Sequence, residues 1–156
     1  MSRATPATRQ LDQARVSYRL HTYDYDPKAQ NIGAHAALSL GIDPGRMFKT
    51  LMTRVDGRPV CAIAPSDGDI SLKRLAQAAH GKGAVMMDAA EAERLTGYKV
   101  GGISPFGQRK ASPAFIAIEA LGLETLFVNG GQRGLQVELA PRDLVAVLGA
   151  TLAPLR

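Results

Sequence analysis

With 156 residues, 46% of them hydrophobic and 21% charged, the chain can bury a core of its own, and order is expected beyond the first few residues. No apolar run approaches the ~20 residues that span a bilayer, the amino terminus MSRATPATRQLDQ lacks the apolar stretch of a secretory signal, and one cysteine, Cys61, excludes an internal disulfide framework. These features predict a cytoplasmic protein in a reducing compartment.

A net charge of +5 and a pI near 9.7 favour a polyanionic partner. With no Trp, four Tyr and four Phe, the chain is poorly supplied to stack a long single strand. Any nucleic-acid target is therefore expected to be an end or a phosphate path.

Thr5-Pro6 reads as a helix N-cap followed by proline at the first helical position, with Ala7, Leu11 and Ala14 at helical spacing. Residues 18–24 read as a strand, and a short helix around 33–40 is closed by Gly41, with Pro44 beyond. Residues 47–55 and 58–65 flank Asp56-Gly57, a strong two-residue hairpin signal. That turn sets Val55 opposite Arg58, Thr53 opposite Val60, Leu51 opposite Ala62 and Lys49 opposite Ala64. Phe48, Met52, Cys61 and Ile63 share the other face and are expected core. Lys49 then stands among small cross-strand neighbours. It is either an exposed strand lysine or an ammonium at the floor of a cleft, able to bond a ligand oxygen or developing negative charge.

Ser71 caps a helix whose apolar stripe is Leu72, Leu75, Ala76 and Ala79, ended by Gly81. A strand at 84–87 leads to Asp88 and Glu91, a capping-box spacing that opens a helix running to Leu95. Strands at 114–118 and 125–128, the turn NGGQRG at 129–134, a strand at 135–139 and a helix from Pro141 to Gly149 complete the chain. Strands joined by hairpins and interrupted by helices predict an α+β fold. The expectation is one domain, 1–156, with a mixed or largely antiparallel sheet, barrel closure included.

Core-building does not account for TGYKVGGISPFGQRK, residues 96–110. Gly101-Gly102 bares two backbone units to an approaching molecule, and Ser104-Pro105 stiffens the exit. Lys99, Arg109 and Lys110 surround it with positive charge, and Ile103 and Phe106 argue against a flexible linker. The stretch reads as a shaped loop that receives an anionic or carbonyl-bearing ligand. NGGQRG reads either as a plain glycine-rich hairpin or as a second wall of the same cleft, with Arg133 reaching phosphate.

Other chemistries find little support. His21, His35 and His80 lie in separate elements without close partners for zinc or a Ser-His-Asp machine. Cys61 belongs to the apolar hairpin face, Asp67 and Asp69 are ordinary turn and capping residues, and no phosphate-loop or dinucleotide fingerprint occurs.

In order, FKTL (48–51), TGYKVGGISPFGQ (96–108) and NGGQRGLQVEL (129–139), with HTYDYDP (21–27) and NIG (31–33), resemble the YbaK/EbsC family of aminoacyl-tRNA deacylases over nearly the whole chain. The resemblance implies an α+β domain round a mostly antiparallel, barrel-like sheet of six to seven strands, flanked by helices. It implies trans-editing of mischarged tRNA, chiefly Cys-tRNA(Pro), with Cys-tRNA(Cys) as a further substrate. The cysteinyl thiol itself attacks the ester and leaves as a thiolactone, without metal or organic cofactor. In that likeness Lys49, Gly101 and Gly102 are catalytic. Tyr23, Ile32, Thr50, Ile103, Ser104, Pro105, Asn129, Gly130 and Gln136 bind substrate, and Lys99, Arg109, Lys110 and Arg133 contact tRNA. The implied partner is the aminoacylated acceptor end, with prolyl-tRNA synthetase as a candidate recruiter.

The chain departs from the family pattern at three places. Asn129 replaces a hydroxyl, Gln136 an acid and Ile32 a phenylalanine. Two other readings stay open: hydrolysis of a small ester such as Ala-tRNA(Pro) by water, and a module that binds tRNA or a synthetase without cleaving.

Overall fold

A computed structural model describes residues 4–29 and 31–156; the sequence expectation for the first few residues falls partly on 1–3, outside the described residues. The first helix, α1 (Pro6–Gln13), begins where Thr5 accepts from the Thr8 amide, and Thr8 bonds back to the Thr5 amide. It leads to β1 (Arg19–Thr22) and then α2 (Ile32–Leu40), which ends on Gly41 in the left-handed conformation. The hairpin β2 (Phe48–Val55) and β3 (Arg58–Pro65) has the register counted from its sequence, Lys49 opposite Ala64 included. Asp56 and Gly57 both take positive φ, 50° and 83°, the mirror-image turn that suits strand twist. Phe48, Met52, Cys61 and Ile63 are buried, and so are Val55, Val60, Ala62 and Ala64 from the opposite face. Core therefore covers both faces of the hairpin.

After α3 (Leu72–Ala78) and β4 (Ala84–Met86), α4 (Ala89–Thr96) starts at Asp88. Only half of the expected capping box forms. Asp88 accepts from the Glu91 amide, while the Glu91 carboxylate turns to Arg54 on β2 at 2.5 and 2.8 Å. The strand β5 (Ala114–Ala117) gives way to a 3₁₀ turn, Ile118–Gly122. Then come β6 (Leu126–Asn129), β7 (Leu135–Leu139), α5 (Pro141–Leu148) and β8 (Thr151–Ala153).

Among the described residues eight strands form two sheets, which corrects the expected six to seven strands in one barrel-like sheet. The smaller, β1-β7-β6, is antiparallel; the larger, β4-β2-β3-β5-β8, is mixed, with β3-β5 and β5-β8 parallel. One bridge, Met47 to Phe127, joins them before the strands diverge, so the sheets do not close into a barrel. A single apolar interior nonetheless runs through both, from Leu11 to Ile63, Ile116, Val128 and Leu144. A satellite of Ala36, Ala37, Met47 and Phe127 seats α2 over the junction. Among the described residues no helix is long and apolar enough to cross a membrane.

Candidate active site

The divergence of the two sheets makes the cleft. The outer edge of β2 touches β6 at the Met47 bridge and β4 only from Thr53 to Val55. Pairing alternates along an antiparallel ladder closed at Val55 and Arg58, so the main-chain groups of Thr50 and Met52 point outward. The Met52 carbonyl accepts from the Met87 amide at 3.1 Å, whereas Thr50 faces the gap. A cavity of about 540 Å³ fills that gap. The start of α2 (Asn31 to Gly33), Tyr23, Gln136 and Asn129 form one wall. Met86, Met87, Ala89, Ala92, Val100, Gly101 and Ile103 form the other.

Lys49 lines the floor. Its side chain is 22% exposed, and Nζ donates to the Gly68 carbonyl at 2.7 Å with Asp69 Oδ1 at 4.0 Å. An ammonium has three donors, so the Gly68 bond leaves two for a ligand. Among the described residues, three cleft-lining side chains carry buried polar atoms without a hydrogen bond: Tyr23 Oη, Thr50 Oγ1 and Gln136 Oε1. Burial pushes the Tyr23 hydroxyl pKa up, against the influence of neighbouring Gln136. Leaving such atoms unpaired costs free energy that an incoming polar ligand would recover.

The glycine loop is pinned from beneath. The Tyr98 hydroxyl donates to the Phe106 carbonyl at 2.7 Å, Gln108 to the Ser104 carbonyl at 2.9 Å, and the Gly107 amide to Gln10 at 2.6 Å. Gly101 takes φ +91°, which side chains rarely adopt, and a Cβ there would fall 2.4 Å from the Tyr25 hydroxyl and displace that ring. Tyr25 in turn lies under the Arg133 guanidinium, 5.1 Å from ring centre. The Gly102 amide is taken up by the Lys99 carbonyl at 2.8 Å. Within the described residues the Gly101 and Ile103 amides have no partner, and both residues line the cleft. Asn129 ties the loops together: Nδ2 donates to the Gly101 carbonyl at 3.1 Å, and Oδ1 accepts from Gly131 at 2.7 Å and Gln132 at 3.2 Å.

Of the residues singled out by sequence, Lys49, Thr50, Tyr23, Ile32, Gly101, Ile103, Asn129 and Gln136 come together in this cleft. Gly102, Ser104, Pro105 and Gly130 lie behind its wall. Ser104 is fully buried and accepts from the Phe106 amide, and the Gly130 carbonyl accepts from Thr5 at 2.6 Å. The cations divide. Lys99 is exposed, Arg133 Nε bonds the Val100 carbonyl at 2.9 Å, and Arg109 packs over Gly97. Lys110 lines a separate concavity.

Sequence reasoning missed Met86, Met87, Val100 and Tyr25. The first two looked like ordinary strand residues, and nothing local to Tyr25 announces that it packs on a glycine 76 positions away. Among the described residues no three His, Cys, Asp or Glu side chains gather into a metal-ligand set. Cys61 is buried, and burial pushes its thiol pKa up to about 12, so it offers no thiolate nucleophile at neutral pH.

The molecule is thus a small α+β fold whose cleft, among the described residues, gathers an ammonium, two amides without a partner and unpartnered polar atoms. The chain belongs to the aminoacyl-tRNA editing domain family, which matches residues 26–147. It is 36% identical over 151 residues to "Putative Cys-tRNA(Pro)/Cys-tRNA(Cys) deacylase EbsC" of Enterococcus faecalis, covering 96% of this chain and 91% of that protein. Solved structures of like fold include "hypothetical protein APE2540" (TM-score 0.85, 24% identity, 97% and 99% of the two chains). Another is "a putative trans-editing enzyme for prolyl tRNA synthetase" (TM-score 0.80, 21% identity, 98% of each chain).

Proposed function

We propose that this protein is a trans-editing deacylase that removes cysteine from mischarged tRNA(Pro), and from Cys-tRNA(Cys), using the substrate's own thiol. The observation that carries the reading is a cleft in which, among the described residues, an ammonium and two amides without a partner stand with no thiolate or other activated nucleophile. The cysteinyl sulfur attacks its ester carbonyl carbon, the bond to the ribose oxygen breaks, and the thiol proton ends on the released tRNA hydroxyl. A thiolactone leaves, and no water is consumed in that step. Orientation is the main contribution, because an intramolecular thiol held in place reaches effective molarities of about 10⁵ M or more.

In this reading Lys49 and the Gly101 and Ile103 amides bond the carbonyl oxygen as it gains charge. Tyr23, Thr50 and Gln136 hold the amino group and ribose hydroxyls. Asn129 fixes the Gly101 peptide, and Gly102 permits the close packing behind it. Lys99 and Arg133 steer the acceptor end, and prolyl-tRNA synthetase in the cytoplasm supplies the mischarged substrate.

Release of amino acid from tRNA(Pro) charged separately with Cys, Ser and Ala tests the reading. Loss of Cys alone, with a trapped thiolactone, is expected, since serine has the shape without a comparable nucleophile. Loss of Ala or Ser would move the chemistry to water, and no loss would leave a binding module.

A further inference from the structure

A second concavity, of about 620 Å³, lies at the turn end of the β2–β3 hairpin, between Arg58, His80 and the segment from Lys110 to Pro113. Four guanidinium groups elsewhere stand against carboxylates, Arg46 with Glu138, Arg54 and Arg94 with Glu91, and Arg156 with Asp67, while Arg133 bonds a main-chain carbonyl. Here Arg58, His80 and Lys110 are exposed. Among the described residues none of their side chains makes a hydrogen bond or ion pair. The one carboxylate in the concavity, Asp56, accepts from the Lys82 amide at 3.0 and 3.1 Å and the Gly83 amide at 3.1 Å. Arg58 stands in its field without closing an ion pair. Two unpaired cations, Arg58 and Lys110, on a concave surface, beside a carboxylate already satisfied by main chain, suit a phosphate oxygen.

We propose that this concavity holds a backbone phosphate of the same tRNA whose charged end enters the Lys49 cleft, an inference that rests on the editing reading above. Lys49 and Val55 are six residues apart on one strand, about 20 Å at ~3.3 Å per residue. A few nucleotides span that distance, so both sites can engage one acceptor arm. The contact is sequence-blind and adds affinity and orientation, not chemistry.

The test compares the wild type with Arg58→Ala/Lys110→Ala on cysteinyl-tRNA(Pro) and on the cysteinyl ester of a terminal adenosine, which is too short to reach Arg58. A second double variant, Lys73→Ala/Arg142→Ala, removes the same charge from exposed helix positions away from both clefts. The expected result is roughly tenfold weaker tRNA binding at 0.1 M salt for the first variant, with a salt slope shallower by about 1 to 2. Its turnover of the adenosine ester should stay unchanged, and the control variant should be near wild type on both substrates. Equal weakening in both variants would reduce the effect to net charge and overturn the site. Unchanged tRNA affinity and salt slope, with the adenosine ester still cleaved, would overturn the second contact and leave the editing reading standing. A wild type that cleaves neither ester would remove the editing reading itself, and this inference with it.

Discussion

At the scale of single residues, Lys49 and Asn129 do different work in one cleft. Lys49 bonds the protein through the Gly68 carbonyl, a part-buried contact to main chain and not to a core side chain. Lys49→Ala is therefore expected to keep its far-UV circular dichroism while deacylation falls roughly 10²–10³-fold, the range for losing one donor to a developing oxyanion. Full turnover in that variant would remove the lysine from the mechanism. Asn129 instead satisfies groups on two loops at once, the Gly101 carbonyl and the Gly131 and Gln132 amides. Asn129→Ala leaves those groups without their partner, so a stability loss of about 1–3 kcal/mol should accompany slower turnover. A normal urea midpoint with slow turnover would show that Asn129 acts on substrate and not on the loop. The Asp-Gly turn makes the register of Lys49 legible in sequence, opposite Ala64, but not its place in a cleft, which depends on where the two sheets part. The bridging role of Asn129 is not legible, since both partners belong to loops whose approach only the tertiary structure defines.

Elements show the same division between local and distant information. Thr5-Pro6, Gly41, Asp56-Gly57, Ser71 and Pro141 mark element ends by chemistry confined to a few residues, and the structure has ends there. The strand β8 is three residues long and pairs in parallel with β5, more than thirty positions earlier, so no local pattern reveals it. Sheet closure fails for a related reason: alternation in β2 and β6 says which faces are apolar, not how far two edges stay together. Glu91 illustrates how tertiary structure overrides a local motif. Its hydrogen bond to Arg54 holds its carboxyl below the ordinary glutamate range, so the pair stabilises the fold above that ordinary value. That contribution is lost as pH falls through the depressed folded value. Urea unfolding of the wild type and Arg54→Met between pH 7 and 3 should show the acid-side decline shallower in the variant. Parallel curves would mean that the pair does not tie α4 to the hairpin.

For the whole molecule, one interior shared by both sheets predicts one cooperative transition, and its alkaline limb reports how dry that interior is. Cys61, on the β3 strand of the hairpin, pairs with Ala114 of β5, and burial pushes its thiol pKa up to about 12; burial pushes the Tyr98 hydroxyl up to about 12 as well. Both groups stay protonated in the fold while the unfolded chain ionises them, at about pH 8.5 for cysteine and about pH 10 for tyrosine. Above those values the unfolded state binds fewer protons than the native one, so stability falls as pH rises. The full contribution is present below the unfolded values and disappears towards pH 12. Each group accounts for at most about 1.4 kcal/mol per pH unit over that window. Cys61→Ala lowers stability at every pH by the packing it removes, but it also deletes the earlier of the two ionisations. Urea unfolding at pH 7, 9 and 10.5, followed by both far-UV circular dichroism and tyrosine fluorescence, should give coincident transitions. The gap between wild type and variant should narrow above pH 9. A gap that stays constant to pH 10.5 would mean that the thiol meets solvent in the native state, and non-coincident transitions would mean that the two sheets unfold separately.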